Sequence, residues 1–304
     1  MLTVLGAIVP VFLLIVLGQQ MRARRFLDDG FWAPAEKLTY YVTFPALLVG
    51  SIAQADLAGL PVLELAVAAA LATIGAAALS VALKPVLGIG GPAFTSVLQG
   101  AMRPNTYVGL AVAASLWQGP GVTMTAICVA VVVPLVNLLS VLGMVRWAAG
   151  EAPGWRGLVW PVLKNPLINA CLLGIALNLS GLGLPSAVAA LLKILGAAAL
   201  PIGLLAVGAG LDIAALRRTG APVLVASGLK LVALPLLAFG LAIHLGLSGM
   251  AVGVAVLYCA LPCSASAYVL ARQMGGDAPL MANIITAQTL LAAGSLPLFL
   301  VLFG

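Results

Sequence analysis

Charge is scarce in this chain. Of its 304 residues 7% are Asp, Glu, Lys or Arg, while 63% are hydrophobic. A water-soluble domain cannot hide that much apolar surface behind so few charges, so the chain reads as a polytopic membrane protein. Histidine is scarcer still, since His244 stands alone. Intramembrane enzymes rely on His/Glu metal sets, paired carboxylates or a Ser–His pair, and an enzyme is therefore not expected. The four cysteines, Cys128, Cys171, Cys259 and Cys263, all fall in apolar runs and follow no disulfide or zinc spacing. Cys259 and Cys263 are one helical turn apart with no other ligand type nearby, and they read as small packing residues. No Walker-type glycine loop is present, so ATP does not drive the protein directly. No cofactor and no metal are expected. The formal net charge of +6 does not point to nucleic acid, because the cations sit at the ends of apolar runs, where they anchor topology.

What is abundant is long apolar sequence. A span needs about 20 apolar residues, and ten runs qualify: 3–21, 34–54, 61–83, 93–117, 122–147, 160–179, 185–213, 221–245, 250–273 and 279–303. The connections are short and rich in Gly, Pro and Asp. No cation precedes the first run, whereas Arg22, Arg24 and Arg25 follow it, which is the order of a retained span with its N-terminus outside. The odd-numbered connections carry Lys37, Lys84, Arg146, Arg156, Lys164, Arg217, Arg218 and Arg272 besides those three arginines, and the even-numbered ones carry no Lys or Arg. The positive-inside rule makes the odd connections cytoplasmic. The expectation is a multi-pass protein of the inner or plasma membrane with both termini non-cytoplasmic.

The chain repeats itself. Pro10, Gly18, Pro45 and Asp56 recur as Pro166, Gly174, Pro201 and Asp212, all at one offset of 156 residues. The natural division is 1–152 and 153–304, near Glu151-Ala152-Pro153-Gly154. Five spans per copy place the copies in opposite orientations, the inverted-repeat plan of many secondary carriers.

Each half contains one span with a proline in its middle. The first break is Ala101-Met102-Arg103-Pro104-Asn105-Thr106-Tyr107, and the second is Leu261-Pro262-Cys263-Ser264-Ala265-Ser266-Ala267-Tyr268. Pro104 and Pro262 remove a helix hydrogen bond and clash one turn back, and each disfavours helical geometry in its predecessor. Freed backbone groups at that depth cost several kcal/mol unless protein or water satisfies them. Paired interrupted spans in two halves are the best sequence pointer to a carrier's midplane site.

These residues make the candidate site. Arg103, at a depth where a cation costs about 2.5 kcal/mol or more, attracts an anion, or else snorkels or pairs with helix carbonyls. Asn105, Thr106, Ser264 and Ser266 contact the substrate, cap the broken ends, or do both. Tyr107 and Tyr268 flank the site or pack at the crossover. Gln99, Asn137, Asn283, Thr286 and Gln288 lie in neighbouring spans and serve as cavity lining or, more plainly, as interhelical hydrogen bonds. Asp56, Asp212, Glu64 and Asp277 read as solvated caps near span ends, and His244 as an interfacial residue. Lys193 belongs near the outer end of its span. Lys230, inside an apolar run, either faces a cavity or snorkels.

With Tyr41-Val-Thr-Phe-Pro45-Ala-Leu-Leu48, Arg103-Pro-Asn-Thr-Tyr-Val-Gly109, Asn165-Pro-Leu-Ile168, Leu200-Pro-Ile-Gly-Leu-Leu205, and Leu261-Pro262 followed by Tyr268-Val-Leu-Ala-Arg-Gln273, the chain resembles the auxin efflux carrier family. That family includes bacterial malonate and malate permeases and belongs to the superfamily of bile acid, arsenite and riboflavin transporters. The resemblance implies an all-α fold of ten helices in two inverted repeats, with broken fourth and ninth helices crossing at a central site. It implies a scaffold, 1–57 plus 157–215, that forms a homodimer, and a transport domain, 58–150 plus 219–304, that moves by elevator-type alternating access. The implied substrate is a small organic anion, a carboxylate, dicarboxylate or auxin-like acid; the few acids within the spans point to uniport or to coupling to a proton. A sodium-coupled symporter of the bile-acid type is the alternative within the superfamily. Relatives of that kind use an acidic side chain near the second break, where this chain has no Asp or Glu between Leu257 and Leu270.

Overall fold

The structure, a computed structural model, describes residues 2–56, 59–148, 160, 163–218 and 220–304. The proposed repeat boundary at 151–154 and Arg156 lie outside the described residues. Among the described residues every regular element is helical. In chain order these are α1 (Leu2–Ala23), α2 (Asp29–Leu38), α3 (Phe44–Ala53), α4 (Val62–Leu87), α5 (Gly91–Met102), α6 (Thr106–Trp147) and α7 (Pro166–Leu179). They continue with α8 (Ser186–Ala209), α9 (Ala221–Gly228), α10 (Leu234–His244), α11 (Met250–Ala260), α12 (Ser266–Gln273) and α13 (Ala278–Phe303).

Six of these stretches are long and apolar enough to cross a bilayer: α1, α4, α6, α8, the run Ala221–His244 through α9 and α10, and α13. The remaining sequence-predicted runs are met in other ways. Run 34–54 is α2 and α3, joined by a π-turn at Thr39–Thr43. Runs 93–117 and 250–273 are each interrupted in the middle. The helix of run 160–179 is α7, 14 residues long. Run 122–147 joins the end of run 93–117 in α6, whose 42 residues would reach about 63 Å if straight, twice the ~30 Å of a bilayer core. Gln118 resolves this: at φ 53 and ψ −138 the chain leaves helical geometry, next to Gly119-Pro120-Gly121.

The π-turns have a common cause. Thr39–Thr43 ends just before Phe44-Pro45, and a second π-turn, Leu229–Ala233, ends just before Leu234-Pro235. A helix proline lacks its donor and presses on the carbonyl four residues back. Widening the preceding turn relieves that pressure while the helix continues.

Helix α1 packs on α8, and α3 packs on α7 and α8. These contacts depend on glycine. A Cβ at Gly18 would stand 2.1 Å from the carbonyl oxygen of Leu205, and one at Gly208 would stand 1.8 Å from that of Ile15. A Cβ at Gly174 would reach Cα of Val49 at 3.5 Å and Cβ of Ile52 at 2.8 Å. Gly18 with Leu205 and Gly174 with Val49 stand at positions related by the offset of 156, exchanged between partners. A second packing group comprises α4, α5, α9 to α11 and α13, and α6 touches both groups. Large apolar side chains such as Leu172, Ile194 and Leu236 are exposed, which is where lipid replaces protein as the partner.

Candidate functional site

The two breaks meet. Helix α5 ends at Met102, and Arg103 is extended (φ −76, ψ 119). Helix α11 ends at Ala260, and Leu261 is extended (φ −61, ψ 143). Pro104 lies opposite Cys263 in an isolated antiparallel bridge, and the Asn105 N–H donates to Pro262 O at 2.8 Å. The Cys263 N–H donates to Gln288 Oε1 at 2.9 Å, while Gln288 Nε2 donates to Gly100 O at 3.0 Å. One amide on α13 therefore satisfies a freed donor on one break and a freed acceptor before the other. The backbone groups released by the prolines are answered by protein, as burial in a membrane requires.

Arg103 is 7% exposed and reaches α6 and α12. Its Nη1 donates to Ser140 Oγ at 3.2 Å, and its Nη2 donates to Asn137 Oδ1 at 2.8 Å and to Ser266 Oγ at 3.3 Å. All three acceptors are neutral. The Arg22–Asp29 ion pair, at 3.3 Å and largely exposed, lies elsewhere. Arg103 thus holds a fixed guanidinium with no carboxylate against it, beside the first residue of α12. A helix start adds partial positive charge to that of the side chain.

The other sequence-predicted residues fall around this point in distinct ways. Asn105 caps α6, its Oδ1 accepting from the Tyr107 and Val108 N–H groups at 3.2 and 3.4 Å. Thr106 is buried behind it. Ser264 and Ser266 bond to each other through their hydroxyls at 3.1 Å, and Ser266 is exposed while Ser264 is half-buried. The Tyr107 ring stacks on Phe44 of α3, with centroids 4.5 Å apart and planes at 8°. Tyr268 is half-buried, with the Arg272 guanidinium 5.9 Å from its ring centre. Pro104 and Pro262 lie at the crossing itself.

Asp212 and Asp277 act as caps. Asp212 accepts from the Ala215 N–H at 3.2 Å and Asp277 from the Leu280 N–H at 2.9 Å. Lys193 and His244 are exposed. Lys230 neither snorkels nor reaches an open surface; it is 0% exposed. The cysteines are free and buried.

Sequence reading missed Ser140, Phe44, Tyr40 and Glu36. Ser140 was findable, since it lies one turn beyond Asn137 on the same helix. Tyr40 comes within electrostatic reach of Arg103, and Glu36 and Tyr40 within reach of Tyr107. Nothing in the local pattern of α2 links it to a site more than sixty residues away in sequence.

Among the described residues the chain is all-helical, with six stretches long and apolar enough to cross a membrane and a buried cation at two crossed helix breaks. The family model described as membrane transport protein matches residues 156–300. An uncharacterized transporter of Methanothermobacter thermautotrophicus is 28% identical over 296 residues, which is 96% of each chain. The second half of the chain is thus similar to membrane transport proteins, and nearly the whole chain is similar to a transporter.

Proposed function

We propose that the protein is a secondary transporter of a small organic anion, a carboxylate, dicarboxylate or auxin-like acid. The observation that carries this reading is Arg103: a buried guanidinium held by three neutral acceptors, at the start of a half-helix, with no carboxylate partner. Such a site has a net positive field in a low-dielectric setting and favours an anion. In this reading Ser264, Ser266, Tyr107, Tyr268 and Thr106 add contacts to the anion, and Asn105, which caps the start of α6, holds that helix end in place.

The same reading takes the chain as ten spans in two inverted repeats with outward-facing termini in the inner or plasma membrane. The mirrored Gly18–Leu205 and Gly174–Val49 contacts support the repeat. The packing of α1, α3, α7 and α8 among themselves supports a scaffold distinct from the group that carries the crossing. Elevator-type movement of that second group, dimerisation through the first and coupling to a proton belong to the proposal. A sodium-coupled symporter lacks the carboxylate it would need between Leu257 and Leu270.

The test is ligand-dependent stabilisation. The purified protein is screened against mono- and dicarboxylates, with and without sodium, and a ligand at a hundredfold excess over Kd adds about 2.7 kcal/mol. Arg103→Ala is expected to abolish the shift while keeping a monodisperse protein. A folded Arg103→Ala protein that binds the acid as well as the wild type defeats the reading.

A further inference from the structure

Lys230 is a second buried cation, and the anion site leaves it without a role. It lies in the π-turn Leu229–Ala233, and its Nζ donates to Cys259 O at 3.1 Å. That acceptor has a specific history. In an unbroken helix the Cys259 carbonyl would receive the N–H of Cys263. Here that N–H goes to Gln288 Oε1, and Pro262 has no N–H to offer. The ammonium therefore answers an orphaned carbonyl at the C-terminal end of α11, where a half-helix carries its partial negative charge. Two further polar groups lie on adjoining elements. Ser227, one turn earlier on α9, is 4% exposed, and Gln99, on the α5 helix that packs on the same π-turn, is 0% exposed. The Ser227 hydroxyl and both amide atoms of Gln99 have no hydrogen-bond partner.

Carbonyls at the C-terminal ends of broken helices are where membrane carriers hold coupling cations. An ammonium and an alkali ion carry the same charge and seek the same oxygens. We propose that the Lys230 ammonium is a tethered cation occupying such a position, so that the protein works without a bound alkali ion. Removing it uncovers a site for a monovalent cation on the Cys259 carbonyl, with the unpartnered oxygens of Ser227 and Gln99 available as further ligands. The proposal rests on the transporter reading for its bearing on coupling, but its test uses no organic acid. A negative result therefore removes the tethered cation and leaves the anion site standing.

The experiment compares thermal unfolding of the wild type, Lys230→Ala and Lys230→Met in sodium, potassium, lithium and choline chloride at equal ionic strength. The wild type is expected to melt at one temperature in all four salts. Lys230→Ala is expected to be weakened in choline and to recover saturably in at least one alkali salt, by roughly 5 °C at a hundredfold excess over Kd. Lys230→Met, whose apolar chain fills the space, is expected to ignore the choice of salt. A wild type stabilised by one alkali ion over choline overturns the proposal, as does a Lys230→Ala protein that melts identically in all four. If Lys230→Ala cannot be isolated folded in choline, its recovery as a monodisperse protein in an alkali salt supports the proposal. Failure in every alkali salt overturns it.

Discussion

Gln288 shows how much one buried side chain can settle. Its amide donates to Gly100 O and accepts from the Cys263 N–H, and both groups are beyond the reach of water. Replacing it by leucine keeps the volume and strands both. Each unsatisfied group costs about 1–3 kcal/mol, so Gln288→Leu is expected to lower the unfolding temperature. Thermal unfolding in detergent decides this, and equal melting of Gln288→Leu and wild type would show that the bridge is not needed. At this scale the sequence was partly readable. Arg103 announced itself because a cation amid apolar residues has few explanations. Gln288 was readable only as a polar residue in a neighbouring span, because its two partners are a backbone donor and a backbone acceptor, which composition does not mark.

The proline breaks belong to the scale of the helix. Pro104 and Pro262 were legible as breaks because proline acts on its own neighbours, and the crossing bears this out with Asn105 bonded to Pro262. The π-turns before Pro45 and Pro235 were not legible, since the same proline can kink, break or merely widen a helix, and packing chooses among these. Gln118 was hidden for a similar reason: a turn was expected between runs 93–117 and 122–147, but not one made by a single left-handed residue. The prediction here concerns Pro104→Ala. Alanine is better than proline in a helix by about 3 kcal/mol, so α5 and α6 are expected to draw towards continuity. The variant should retain or gain thermal stability while losing carboxylate-dependent stabilisation. Full ligand response in a stable Pro104→Ala protein would separate the break from binding.

At the scale of the whole molecule, two backbones must touch for the α1–α8 pair to exist. A Cβ on Gly208 would meet a carbonyl oxygen that cannot move aside. Gly208→Val is therefore expected to prevent accumulation of folded protein, while Gly6→Val, where nothing lies within 4 Å, is expected to behave as wild type. Size-exclusion profiles after membrane extraction read both. The proposed repeat rests on Pro, Gly and Asp matches at one offset. The partners they choose were not legible: Leu205 and Val49 are ordinary apolar residues in a chain full of them.

The Gln288 bridge also constrains how this protein can work. Its amide clasps both snapped helices from a third, and the Asn105–Pro262 bond stitches them to each other. Pulling one strand of the crossing away from the other would tear the Asn105–Pro262 bond and at least one of the two Gln288 bonds, among buried groups. If the protein works as the proposed carrier, a motion that carries α5, α6, α11, α12 and α13 as one piece, like a drawer sliding with its contents fixed, keeps all of these bonds.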